Sequence, residues 1–186
     1  MNILIRLFEQ YGYLSPMCIA ALEDNIQIFH KKKGEYLLKK GQLSGSLYVL
    51  EEGFVRGFYM QKEQEIDVWF AFEHTIMGST YQMYKSKASL EFIQCMEDCV
   101  VHAIPNQVLF RFFKEYPELN LISRRSTEDY CLQLEDRAFQ LQTMSATERY
   151  HRLIKDLGAD FHRIPLGNIA SYLGISQETL SRIRRI

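Results

Sequence analysis

PLGNIASYLGISQETLSRIRRI, residues Pro165 to Ile186, decides how the rest of the chain is read. Ala170 is followed by Gly174 four residues later, by Leu180 six later and by Ile183 three later. A small residue at 170 lets two helices cross at close range, and Gly174 supplies the positive φ of a tight turn at little cost. Ser176 has a hydroxyl suited to capping the next helix. Ile169, Leu173, Ile175, Leu180 and Ile183 are spaced to bury the inner faces of both helices. Gln177, Glu178, Ser181, Arg182 and Arg185 then remain on the outer face of the second helix. Their donors and acceptors suit base edges and phosphate oxygens. An ordinary helical hairpin shares the apolar spacing but does not require this polar face. The pattern predicts a helix-turn-helix aimed at the major groove of DNA.

The bulk numbers are compatible with that reading. A chain of 186 residues with 47% hydrophobic and 24% charged content can bury a core as one domain or two small ones. No apolar run is long enough to span a bilayer. Residues Met1 to Leu14 lack the basic leader and small-residue cleavage site of a secretory signal, so a cytoplasmic protein without membrane partners is expected. Cys18, Cys95, Cys99 and Cys131 contain no C-x-x-C pair, and all four are expected as buried free thiols. The net charge is −1, but its distribution matters more than its sum. From Arg149 to Ile186 seven basic residues (Arg149, Arg152, Lys155, Arg163, Arg182, Arg184, Arg185) face three acidic ones (Asp156, Asp160, Glu178). A basic terminal module on an acidic body is the balance expected of a DNA-binding end.

Six of the ten glycines fall between Gly34 and Gly78, and none between Ser79 and Leu157. A turn-rich β region therefore precedes a helix-rich one. Short apolar runs at Tyr36–Leu38, Leu47–Leu50, Phe54–Tyr59, Ile66–Phe72, Leu90–Met96 and Val100–Ile104 predict an all-β barrel or sandwich. Leu4, Leu7, Phe8 and Tyr11 predict covering helices within residues 1–25. Pro105 fits the first turn of a helix that carries Val108, Leu109, Phe112 and Phe113 and stops near Tyr116–Pro117. A long helix is predicted from about Glu118 to Thr143. Its Cys131, Leu134, Ala138 and Leu141 repeat at three-four-three spacing, the pattern of a parallel homodimer seam, although packing on the chain's own barrel would use the same stripe. Ser145 and Glu148 form a capping box that restarts a helix, which Gly158 ends. The break at 143–145 marks a boundary and hinge.

With barrel and helix-turn-helix in view, the chain resembles the cyclic-AMP receptor / fumarate-nitrate regulator family of bacterial transcription factors. The resemblance rests on Lys33-Gly34-Glu35-Tyr36-Leu37-Leu38-Lys39-Lys40-Gly41, on Leu47 through Arg56, on Ile104-Pro105, on Tyr116-Pro117-Glu118-Leu119 and on Ser176 through Ile183. It implies an α+β fold in three parts: a cyclic-nucleotide-binding-like β-barrel (double-stranded β-helix) at 1–117, a dimerisation helix at 118–143, and a winged helix-turn-helix at 144–186. The family's recognition-helix glutamate and second arginine fall on Glu178 and Arg182, which in the family face cytosine and guanine. The resemblance thus implies that Glu178 and Arg182 contact bases, assisted by Gln177 and Ser181, while Arg184 and Arg185 contact phosphate. A local Glu178–Arg182 helix pair would use the same spacing. Implied partners are duplex DNA, a second copy of the chain, RNA polymerase and a small-molecule effector. Relatives continue past the recognition helix, and a shortened end would weaken phosphate contacts.

The ligand cassette departs from the family. Cyclic-nucleotide binders carry Gly-Glu at the start of a short helix and, further on, an arginine followed by serine or threonine. Here the stretch is Ile76-Met77-Gly78-Ser79 through Lys85-Ser86-Lys87-Ala88-Ser89. Gly78 matches, Ser79 replaces the glutamate, and Ser89 takes the arginine position. Lys85 or Lys87 could stand in, but lysine lacks the bidentate fork. Gly78, Ser79, Lys87 and Ser89 are the candidate effector residues, with Tyr48, Phe58, Trp69 and Phe72 as aromatic lining or core. No tight cyclic-AMP binding and no cofactor are expected; the pocket takes another small molecule or is vestigial. Cys18 alone near the N-terminus does not make the family's iron–sulfur cluster, and His30, His74 and His102 are scattered. No catalytic or metal-binding residues are assigned, and the chain is read as a regulator rather than an enzyme. Two competing readings are a cupin-type barrel enzyme, which needs converging histidines and a carboxylate, and a regulator acting by protein contacts with weakened DNA binding.

Overall fold

Glycine-punctuated runs of β-branched and aromatic residues form strands because their side chains pack well on a pleated, half-buried surface. The computed structural model describes residues 2–185 apart from Ser44 and Ser86, so Ser86 of the cassette and Ile186 lie outside the described residues. Two helices, α1 (Ile3–Glu9) and α2 (Pro16–Glu23), precede eight strands. These are β1 (Gln27–Lys31), β2 (Tyr36–Leu38), β3 (Ser46–Glu52), β4 (Val55–Gln61), β5 (Gln64–Ala71), β6 (Ile76–Met77), β7 (Phe92–Cys95) and β8 (Cys99–Pro105). A short helix, α3 (Thr80–Lys85), interrupts them after β6. The strands make two four-stranded antiparallel sheets, ordered β1-β8-β3-β6 and β2-β7-β4-β5. The six runs seen in the sequence are all strands. β1, which shows mostly exposed side chains, and the two-residue β6 carry too weak an apolar pattern to be seen.

The helical half follows. α4 (Asn106–Glu115) leads into the 26-residue α5 (Glu118–Thr143), then α6 (Ala146–Leu157), a 3-10 turn at Gly158–Arg163, α7 (Leu166–Leu173) and α8 (Gln177–Ile183). Pro105 is not in the first helical turn. It ends β8 opposite Ser46, with an extended ψ of 136°, and stands as the residue before α4. The Ser145–Glu148 capping box is fully formed. The described part of the terminal module is entirely helical.

Three apolar clusters hold the molecule together. One joins Leu4, Ile5, Leu22, Val49, Ile104, Leu109 and Phe112 to Leu119 and Ile122 at the start of α5. A second fills the barrel with Leu38, Leu50, Val55, Ile93 and Val101. The third crosses from barrel to terminal module: Phe54 and Phe72 pack with Tyr150, Phe161, Ile169, Leu173, Leu180 and Ile183.

Candidate functional site

α7 and α8 meet as their residues dictate. Gly174 ends α7 at φ +68°, the left-handed cap that glycine adopts without strain. Ser176 caps α8 by accepting from the Thr179 amide at 3.2 Å. Leu180 and Ile183 turn inward and are buried, beside Ile169, Ala170 and Leu173, while Ile175 is partly buried. Gln177, Glu178, Ser181 and Arg182 are all exposed on the other side of α8, and Arg184 and Arg185 are exposed just beyond it. The Arg182 Nε reaches the Glu178 backbone carbonyl at 3.5 Å, and no ion pair joins the two side chains among the described residues. A hydrogen bond within its own residue's backbone, Ser176 and then the Arg182 charge hold the Glu178 carboxyl below its ordinary value. It is an acceptor at neutral pH.

The positive charge of the module is less available than its composition implies. The Arg163 guanidinium donates to both carboxylate oxygens of Glu73 at 2.8 Å, to Glu97 at 2.6 and 3.2 Å, and to Asp160 at 2.9 Å. Arg152 pairs with Asp156 and Asp136, and Arg149 donates to the carbonyls of Met144 and Leu173. Three of the seven basic residues therefore serve the fold. Around them the module docks on the barrel. Asn168 donates to Asp67 at 3.0 Å, Ser171 Oγ accepts from the Asp67 amide at 2.9 Å, and Arg137 of α5 donates to the Tyr172 carbonyl with its guanidinium 3.8 Å from that ring centroid. Sequence reading missed this clamp because its partners lie 90 and 66 residues from Arg163.

A cavity of about 380 Å³ lies between the barrel and α5. Gly78 and Ser79 line it with Trp69, Phe70, His74, Tyr11, Met83, Tyr84, Asp129, Tyr130 and Gln133. Neither Lys87 nor Ser89 is in the lining: Lys87 is exposed, and Ser89 is buried, its hydroxyl in a turn with the Glu91 backbone. The four aromatic residues divide between lining and core, with most of them in the core. Only Trp69 faces the cavity; the buried Tyr48 donates to the Leu37 carbonyl, Phe58 stacks on Phe92, and Phe72 stacks on Phe54 toward the terminal module. Glu91, which sequence reading passed over, is 7% exposed, and its carboxylate accepts from the Trp69 indole at 3.3 Å and from Ser79. Burial pushes its carboxyl above the ordinary range.

Cys131, Leu134, Ala138 and Leu141 lie along an exposed side of α5, with Leu134 50% and Leu141 49% exposed. Leu132 and Phe139, seven residues apart and more exposed still at 63% and 58%, widen the stripe; their spacing was there to be read. Cys131 is thus exposed, against the expectation of four buried thiols; Cys18, Cys95 and Cys99 are buried and free. His102 is tied to Glu51 and to Asn2, the cap of α1, while His30 and His74 are exposed. No three His, Cys, Asp or Glu side chains converge among the described residues, and no helix there is long and apolar enough to cross a membrane.

Residues 28–116 match the cyclic nucleotide-binding domain. Electron transport regulator A of Shewanella oneidensis is 23% identical over 164 residues, covering 82% of this chain and 65% of that protein. The fumarate and nitrate reduction regulatory protein of Vibrio cholerae is 22% identical over 192 residues, covering 91% and 76%. The chain thus spans less than two thirds of the first relative. A solved transcriptional regulator of the crp/fnr family from Eubacterium rectale shares the fold, with a TM-score of 0.76 at 18% identity, over 92% of this chain and 82% of that one. Barrel, long helix, terminal helices and these likenesses agree: residues 28–116 are similar to the cyclic nucleotide-binding domain, and the whole chain shares the fold of solved crp/fnr-type regulators.

Proposed function

We propose that the chain is a homodimeric, sequence-specific DNA-binding transcription regulator. The observation that carries the reading is the division of α8: Leu180 and Ile183 are buried, while Gln177, Glu178, Ser181 and Arg182 are exposed, and among the described residues neither Glu178 nor Arg182 is in a side-chain ion pair. In this reading Arg182 donates to guanine and Glu178 accepts from cytosine. Gln177 and Ser181 assist, and Arg184 and Arg185 reach phosphates. Residues 144–186 form the DNA module, residues 1–117 the sensor, and α5 the seam between two copies, joined through Leu134, Ala138, Leu141 and their neighbours. Two α8 helices would then read a two-fold site with half-sites about 34 Å apart. The effector occupies the cavity at Gly78 and Ser79. Without the family's glutamate and arginine there, it is not cyclic AMP.

Selection of duplexes from a randomised DNA pool, at a stated salt concentration, tests the reading. It should return a palindrome with half-sites one helical turn apart. The Arg182→Ala variant should bind that duplex about 1–3 kcal/mol more weakly and relax preference at one base pair. If the variant matches the parent on every duplex, α8 is not the reading head.

A further inference from the structure

The cavity between barrel and α5 is lined by acidic and aromatic groups and by one histidine, His74. Among the described residues, no lysine or arginine lines it. Carboxylates stand on two sides instead. Asp129 lines it from α5, and Glu91 lies behind Ser79 and Trp69, which line the cavity and both donate to its carboxylate. Glu91 is 93% buried, and no ion pair compensates it among the described residues. A buried carboxylate left without a cation is costly, and a phosphate brought beside it would make the cost worse. The other prominent lining groups are aromatic: Trp69, Phe70, Tyr11, Tyr84 and Tyr130. Ring faces beside carboxylates are the surroundings in which an ammonium group is held. The volume falls within the usual range for a small-molecule site, about 300–1,000 Å³.

We propose that this cavity binds a small organic amine in its cationic form, its ammonium drawn to Glu91 and Asp129 and its carbon skeleton against the aromatic walls, and that it rejects anionic nucleotides. The ligand class rests on the reading of this cavity as the effector site. It does not depend on α8 reading DNA.

Trp69 is the chain's single tryptophan and lines the cavity, so its emission reports occupancy without labels or DNA. The full chain is titrated at fixed ionic strength with phenethylamine, tyramine and 1,5-diaminopentane, and in parallel with 3-phenylpropionate and cyclic AMP. At least one amine should give a saturable change, with 3-phenylpropionate and cyclic AMP at least about tenfold weaker, as loss of a charge-assisted contact implies. Asp129→Asn and Glu91→Gln should each weaken that amine about tenfold. Asp129 is the second probe should Glu91→Gln fail to fold, since it sits on the helix wall rather than in the barrel. The proposal is overturned if no amine saturates, if an anion binds as tightly as the best amine, or if Asp129→Asn leaves amine affinity unchanged. Polarisation of a labelled selected duplex, measured separately, keeps failure of the DNA reading apart from failure of the ligand class.

Discussion

Gly57 of β4 faces Trp69 of β5 across the ladder, and a Cβ at 57 would lie 2.0 Å from the indole ring. Only glycine leaves room for the ring against that strand. We expect Gly57→Ala to destabilise the fold by about 1–3 kcal/mol through overpacking and to shift the emission of Trp69; denaturant unfolding followed by fluorescence reads both. Glu73 is held by Arg163, whose hydrogen bonds outweigh burial and bring its carboxyl down from 4.5 to about 2. A carboxyl depressed in the folded state stabilises the fold fully above its unfolded value. That contribution is lost as pH falls from about 4.5 toward about 2. Glu73→Gln should therefore flatten the fall in melting temperature across that window, and an unchanged acid limb would show that the clamp adds nothing to stability.

At the scale of the element, α5 has two characters along one length. Leu119 and Ile122 are buried in the cluster shared with α1, α2 and α4, whereas Leu132, Leu134, Phe139 and Leu141 stand in solvent. Burying a leucine contributes about 1.5–3 kcal/mol, so an uncovered row of this kind favours association with a matching row. We expect the parent chain to sediment as a dimer. Leu134→Glu, which places a charge from each copy in the seam, should raise the dimer dissociation constant at least about tenfold while leaving helicity unchanged. A parent chain that remains monomeric at tens of micromolar would remove α5 from the proposed seam.

For the whole molecule, the decisive feature is the docking of the terminal module on the barrel. The third apolar cluster spans both, and Arg163, Asn168, Ser171 and Tyr172 fasten α7 and the preceding turn to Glu73, Glu97, Asp67, Glu65 and Arg137. Arg163→Ala leaves three carboxylates, Glu73, Glu97 and Asp160, without their cation. It should cost about 1–3 kcal/mol, expand the molecule in small-angle scattering, and speed proteolysis near residues 143–145. Identical scattering and cleavage in the variant would show that the apolar cluster alone holds the module in place.

The sequence by itself determined what depends on local rules. The capping box at Ser145, the left-handed Gly174, the six glycine-punctuated strands and the two-faced α8 each follow from residues within one turn or one strand, where spacing decides which side is apolar. The fold was legible for the same reason. The tertiary structure alone decided which charges remained free and which groups met across the cavity. Arg163 is basic in composition yet bound to residues 66 and 90 positions away. Glu91 lies amid unremarkable sequence, but folding sets it behind Ser79 and Trp69 and, among the described residues, leaves it without a cation. Electrostatics depends on distance through space and on burial, and neither is fixed until the sheets and helices have packed.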